Sequence, residues 1–405
     1  MPQGGNTGLV AGATPSTDGR ELILSLELLK AVRSIDVTDG VAIVEAGCVL
    51  ADLKTAIDEK GAFFPLSIGS QGSCQIGGTI STNAGGINVV RYGMTRSLVM
   101  GLEVVLPNGS IFQDLRGLHK NNTGYDLKQM FIGAEGTLGV VTAAALKIQP
   151  KPSQCETMFL AADSAASVIE LFKRIRQDAG DLISAFELML GASIQRVCET
   201  EQGVRNPLSR LYPAYAIVEV SAIGGPPLRT WLEGYLAQLF ERGQLLDGVI
   251  ADSGEQVTNI WNLREGIVES QGRLGVYLRT DVSTPISAVA DLITKGTELV
   301  ERLVPGAQVH PYGHVGDGNL HFNVMRPINM TPDAFKPHIH RMEAALFELV
   351  DGYRGSISAE HGIGVAKRDA FQDRIGSVQG DLMMKLKKVL DPQNLMNPGR
   401  IFSPE

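Results

Sequence analysis

Glycine constrains this chain more than any other residue type. It accounts for 46 of 405 residues, and many of them fall before residue 140 in three segments. The first is Pro2-Gln-Gly-Gly-Asn-Thr-Gly8. The second runs from Pro65 to Gly86 and includes Gly72-Ser73, Gly77-Gly78 and Asn83-Ala-Gly85-Gly86. The third is Gly133-Ala-Glu-Gly-Thr-Leu-Gly139. Glycine permits positive φ and leaves backbone N–H groups exposed, which makes anion-binding concavities. Ser, Thr and Asn between the glycines add further donors. None of the segments has hairpin spacing, so together they predict backbone brought close to a ligand. None matches GxGxxG or the P-loop, which argues against those two phosphate-binding modes.

The second constraint is histidine. Six of the seven lie between His310 and His361. Asp317-Gly318 is a two-residue hairpin signal. A turn there pairs His314 with His321 on one face of a ribbon, with Asn323 on the same face. Ser358-Ala-Glu360-His361-Gly-Ile-Gly364 adds a carboxylate and a third imidazole. His314, His321 and Glu360 form a ligand set for a catalytic divalent metal with an open position. Zinc suits that set best, and iron, cobalt or manganese also fit. His361 is the candidate base, with an ordinary pKa of about 6.5. His310 reads as structural, Asp317 as a turn residue, and His119, His338 and His340 as surface residues.

The chain is long enough for two or three domains. Its net charge of −8 carries no basic block, which excludes a nucleic-acid partner. No apolar run approaches the ~20 residues of a membrane span. Cys48, Cys74, Cys155 and Cys198 lack paired spacing and read as reduced thiols inside a cell. The first glycine segment has no strand ahead of it, so the chain is expected to begin inside a domain.

Residues 1–150 alternate short strands with glycine turns. Strands are expected at 41–45, 101–106 and 139–147, and a helix at 50–60. Pro150-Lys151-Pro152 marks a domain boundary. Beyond it come helices at 163–178, 227–242, 256–272, 286–303 and 332–350. Strands are expected near 214–220, 248–252 and 276–282, followed by the histidine hairpin and a last helix at 382–390. The order is that of an α+β fold. The expected domains are 1–150, 151–380 and a tail at 381–405.

The glycine segments, together with Asn122-Thr-Gly-Tyr-Asp-Leu127 and Ile132-Gly-Ala-Glu-Gly-Thr-Leu-Gly-Val140, resemble the FAD domain of the vanillyl-alcohol-oxidase-like flavoproteins. The resemblance runs to Asn397-Pro-Gly399. Within that superfamily the chain is most similar to the D-2-hydroxy-acid dehydrogenases, the D-2-hydroxyglutarate dehydrogenases above all. The resemblance implies a two-part FAD-binding domain, N-terminally incomplete, a ferredoxin-like α+β substrate or cap domain, and a helical tail. It implies non-covalent FAD with its pyrophosphate along Gly4, Gly5, Asn6, Thr7 and Gly8. Further FAD contacts are implied at Pro65, Gly72, Ser73, Gly77, Gly78, Asn83, Gly85, Gly86, Glu135, Gly136, Gly139, Val140 and Asn397. For the substrate it implies Arg264, Asn323, His361 and Arg279, with Val268 where those enzymes carry threonine.

The function expected is oxidation of a D-2-hydroxy acid, D-2-hydroxyglutarate in first place. D-lactate or glycolate is the alternative acid. A non-catalytic or truncated subunit is the second alternative, and a flavin-free metal hydrolase ranks last. Electrons are expected to pass to an electron-transfer flavoprotein or a quinone, since no nicotinamide motif is visible. A homodimer is an open expectation. So is the compartment: bacterial cytoplasm, or the mitochondrial matrix in a eukaryote.

Overall fold

The computed structural model describes residues 1–273 and 275–403. Its contacts divide the chain into two units. One comprises residues 1–88, 92–151 and 360–405. The other comprises 89–91 and 152–359.

The first unit is built on a five-stranded sheet. Its strands are β1 (Val32–Asp36), β2 (Val41–Glu45), β3 (Val99–Val105), β4 (Ile111–Asp114) and β5 (Val140–Lys147). The order is β1-β2-β5-β3-β4, antiparallel throughout. Ala143, Ala144 and Ala145 of β5 are fully buried. Small side chains suit a central strand covered on both faces. Helix α1 (Leu50–Asp58) turns Leu50, Leu53 and Ile57 into the core, three positions that share one helical face. A shorter helix, α2 (Ile76–Ser81), opens inside the second glycine segment. Pro2–Gln3 pairs in parallel with Leu24–Ser25.

The second unit carries strands β6 (Gln154–Ala162), β7 (Ile183–Leu190), β8 (Ala214–Ala222) and β9 (Asp247–Ile250). Helices α3 (Ala165–Ala179), α4 (Gly191–Thr200) and α5 (Leu228–Glu241) alternate with them. The spatial order β9-β6-β8-β7 is antiparallel, the ferredoxin-like arrangement expected, with α4 inserted. Helix α6 (Gly254–Gly272) follows, then the short strands β10 (Tyr277–Leu278) and β11 (Val282–Ser283) and helix α7 (Val289–Leu303). Strands β12 (Gln308–Gly313) and β13 (Asn319–Met325) extend the sheet through β7, and helix α8 (Pro332–Gly352) closes the unit. Ser164, Ser253 and Thr331 cap α3, α6 and α8 by accepting a backbone N–H three residues on.

Four expectations need correction. The run at 276–282 is two strands rather than one, since residues 279–281 break the ladder. Strand β7 and helix α4 are additions to the expected elements, because Ile183–Leu190 is nearly continuous apolar sequence without the alternation of a half-buried strand. The later boundary falls at 359/360 rather than near 380. Val10 O there accepts from Val365 and Ala366, and Glu135 from Ile363 and Gly364, which ties this segment to the first unit. The hairpin register is also different: Tyr312, not His314, lies opposite His321. The turn is a five-residue loop, His314–Gly318, held by Asn319 N–H donating to His314 O (3.2 Å) and to Asp317 Oδ1 (3.1 Å).

Candidate active site

In the first unit the three glycine segments meet. A Cβ on Gly5 would collide with the Ser73 carbonyl, and one on Gly136 with Pro2 Cγ (2.6 Å). Gly77 abuts Ala46, Gly86 abuts Ser67 O and Gly139 abuts Val104. These glycines are therefore required where one loop crosses another stretch of backbone or a core side chain. Gly8, Gly72 and Gly78 differ: nothing lies within 4 Å of where their Cβ would be. That open space is the part of the cradle able to admit a ligand.

Several non-glycine residues in the same region hold left-handed backbone: Asn6 (φ 51°), Asn83 (φ 50°), Glu135 (φ 51°) and Asn397 (φ 50°). Such strain persists only where the surroundings over-determine it, and it gathers at ligand sites. Asn397 Nδ2 donates to Glu135 O (2.6 Å) and to Gly12 O (3.1 Å). Its Oδ1, like Gln75 Oε1, is a buried acceptor without a partner among the described residues. Two waiting acceptors, open glycine faces and Ser, Thr and Asn donors fit a large polar cofactor with a phosphate bridge.

The remaining residues expected at a cofactor take ordinary places. Pro65 O accepts from Asn88 (2.8 Å), Ser73 N–H donates to Ser70 O (2.9 Å), Val140 begins β5, and Thr7 is half-buried in coil. Gly4 lies against Gln75, and Gly85 is buried beside Gly86. The Glu135 side chain is engaged by protein. Ile363 N–H and Gly364 N–H each donate to it at 2.7 Å, bracing the glycines after His361. Burial pushes its carboxyl upward, against those bonds and the Lys367 charge. Glu360 accepts from Gly86 N–H, so both Glu360 and the start of the His361 loop rest on the glycine cradle. His361 is half-buried.

The second unit holds a different kind of centre. Glu187 on β7 is fully buried in apolar sequence. Its Oε2 accepts from Arg264 Nε of α6 at 2.8 Å, and its Oε1 pairs with His314 Nδ1. Burial opposes charge on both Glu187 and Arg264. The attraction of His314 and Arg264 outweighs it at Glu187 and holds that carboxyl well below the usual range, while Glu187 holds Arg264 above its own. Arg264 Nη2 lies 3.4 Å from His314 Nε2, and its guanidinium sits 4.9 Å over the Tyr312 ring. The His314 and His321 rings meet edge to face at 5.7 Å. Despite the altered register, the loop returns His314 to His321. Asp281, fully buried, stands 3.9 Å from His321 Nδ1 and accepts from Asn319 Nδ2 at 2.9 Å.

Asn323 is buried, with Nδ2 donating to Gln271 (2.7 Å) and Oδ1 accepting from Thr280 N–H (3.2 Å). His310 bonds Ser193 (3.2 Å). Burial, with the Arg196 charge, lowers its pKa to about 4. Arg279 is exposed, as are His119 and His340, and Val268 packs against the core beneath α6. Glu187 and Asp281 were missed in the sequence. The available signal was a lone carboxylate inside an apolar run, Ser-Ala-Phe-Glu187-Leu-Met, whose burial calls for a hydrogen-bonding or cationic partner.

Among the described residues no helix is long and apolar enough to cross a membrane. Residues 151–401 match the family model for the C-terminal domain of FAD linked oxidases, and residues 1–114 match that for an FAD binding domain. The chain is 41% identical over 403 residues to the mitochondrial D-2-hydroxyglutarate dehydrogenase of Bos taurus, covering 99% of this chain and 72% of the relative. It is 39% identical over 402 residues to the mitochondrial D-2-hydroxyglutarate dehydrogenase of Arabidopsis thaliana, covering 99% and 70%. Among solved structures, an alkyldihydroxyacetonephosphate synthase superposes with a TM-score of 0.70 at 15% identity, over 98% of this chain and 71% of that one. That likeness is one of fold.

Proposed function

Because this chain belongs to the FAD-linked D-2-hydroxy-acid dehydrogenase family, we propose that it oxidises D-2-hydroxyglutarate to the 2-oxo acid. FAD held by this chain would supply the hydride acceptor, flavin N5. The three glycine segments would hold that cofactor, with Gly4, Gly5, Asn6, Thr7 and Gly8 assigned to its pyrophosphate. Asn397 and Gln75 offer it buried acceptors.

Arg264, Asn323, Arg279 and His361 handle the substrate. Glu187 holds Arg264 by its Nε, which sets the planar fork for a carboxylate. Asn323, buried with its Nδ2 donating to Gln271, is the second residue assigned to the same carboxylate. Arg279, exposed and cationic, suits the distal carboxylate of a five-carbon diacid. His361 takes the hydroxyl proton on a ring nitrogen. A divalent metal, zinc in first place, would be held by His314, His321 and Glu360 and would polarise the hydroxyl as a Lewis acid. Glu360 follows directly on Ala359, whose N–H donates to Asp281 O at 3.3 Å. The electron acceptor would be a carrier protein or a quinone. The mitochondrial relatives suggest that compartment in a eukaryote, and the cytoplasm serves in a bacterium.

The observation that carries this reading is the buried Glu187–Arg264–His314 centre, a carboxylate-binding cation braced beside a metal-binding imidazole. Its test is bleaching of the flavin-loaded protein by D-2-hydroxyglutarate, D-malate, D-lactate and glycolate. D-2-hydroxyglutarate should bleach it with the highest kcat/KM. Val268, lacking the hydroxyl of the family's threonine, favours a second reading in which a shorter acid such as D-lactate comes first.

A further inference from the structure

We propose that Glu187 is a positioning residue that fixes which nitrogen of His314 is offered to the metal and ties that ligand to Arg264. This rests on the metal and substrate roles proposed above for His314 and Arg264.

Both Glu187 oxygens are engaged. Oε2 accepts from Arg264 Nε at 2.8 Å, and Oε1 faces His314 Nδ1. A guanidinium can only donate, and an ionised carboxylate can only accept. His314 Nδ1 must therefore carry the hydrogen. In the neutral ring the lone pair is then left on Nε2, the nitrogen that lies 3.4 Å from Arg264 Nη2. Metal-bound imidazoles are commonly fixed in this way, by a carboxylate on the far nitrogen. Here that carboxylate is completely buried and comes from the middle of β7, a rigid strand. The same group orients the cation proposed for the substrate. One side chain thus sets the direction of two functional groups.

A glutamine at 187 has nearly the same shape but only one acceptor. Arg264 must take it, because an amide NH2 cannot face a guanidinium N–H. The NH2 then faces His314 Nδ1, which becomes an acceptor, and the ring hydrogen moves to Nε2. The ligand lone pair is lost although the volume is kept. An aspartate at 187 is one methylene shorter but keeps two acceptors.

The test uses the FAD-loaded protein, stripped of metal by a chelator and titrated with zinc alone. Glu187→Gln should bind zinc about 10- to 100-fold more weakly, with flavin content and melting temperature near wild type. KM for the acid should rise as kcat falls. Glu187→Asp should retain more zinc affinity than Glu187→Gln. Wild-type zinc affinity in Glu187→Gln would overturn the proposal. So would Glu187→Asp binding worse than Glu187→Gln, which is the ranking a purely packing role gives. If Glu187→Gln does not fold, wild-type protein with labelled histidine and bound 113Cd decides: coupling through His314 Nε2 supports the proposal, and coupling through Nδ1 overturns it. His314→Ala separates the two layers. Zinc lost there but kept in Glu187→Gln defeats the positioning role alone. Zinc kept in both defeats the metal reading beneath it.

Discussion

The two units make their sites by opposite means. In the first, position depends on side chains that are absent. Gly5, Gly77, Gly86, Gly136 and Gly139 let loops approach one another where any Cβ would collide, and four left-handed residues complete the crossing. In the second, position depends on charges that are buried. Glu187, Arg264, His314, Asp281 and His321 lie inside the sheet face, each against a partner. A backbone cradle suits a cofactor recognised along its whole length. A braced charge cluster suits a small acid, where one misplaced group loses the reaction. The difference teaches which changes each unit tolerates. Added volume threatens the first, and lost charge threatens the second.

The sharpest way to break this contrast is His314→Ala. It should lower kcat/KM at least about 10³-fold, the scale of a lost Lewis-acid contribution. The first unit's cradle should keep its flavin, read as visible absorbance per protein. Loss of flavin together with activity would show that the two devices are not separable.

The next effect is in pH. His310 has a folded pKa of about 4 against an ordinary 6.5. Between those values the unfolded chain binds the proton and the folded chain does not. Stability is therefore full above pH 6.5 and is lost as pH falls toward 4, by about 3 kcal/mol. His310→Gln should flatten that part of the profile. Urea midpoints from pH 7 to 4 check it, and an unchanged acid slope would contradict it.

Gly5→Ala sharpens the other side. The new methyl lands on the Ser73 carbonyl. It should destabilise the protein by about 2 kcal/mol and lower flavin affinity. Calorimetry and flavin titration read the two effects separately.

The smallest change expected is Arg279→Met. An exposed cation meeting a distal carboxylate is worth about tenfold in KM. KM for D-2-hydroxyglutarate should rise by about that factor while KM for D-lactate stays level. Equal shifts for both acids would remove the distal-carboxylate role.

What could be read from the sequence follows the same division. Glycine segments, turn residues and amphipathic helices are local signals. Strand Val41–Glu45 and the helix beginning at Leu50 were legible from composition and period. His314 and His321 were legible as a pair because a short ribbon brings them together. Their register was not. It depends on Asp317 bonding Asn319 N–H and on Gly318 O accepting from Thr284 N–H, the second of these contacts coming from a distant part of the sequence. The partners of Glu187 were illegible for a related reason. Its strand lacks alternation, and its partners lie 77 and 127 residues away. Burial of a charge becomes meaningful only once the partner is known. The tail beyond residue 360 misled for a third reason. Its hold on the first unit comes through backbone bonds at Val10 and Glu135, which side-chain pattern does not encode.

The most direct test removes only the metal. Flavin-loaded protein is mixed anaerobically with D-2-hydroxyglutarate before chelation, after chelation and after zinc is restored. The account predicts rapid bleaching of the flavin band, loss of that bleaching with the chelator, and recovery with zinc. Bleaching at the same rate without metal, or none with any of the four acids, would contradict it.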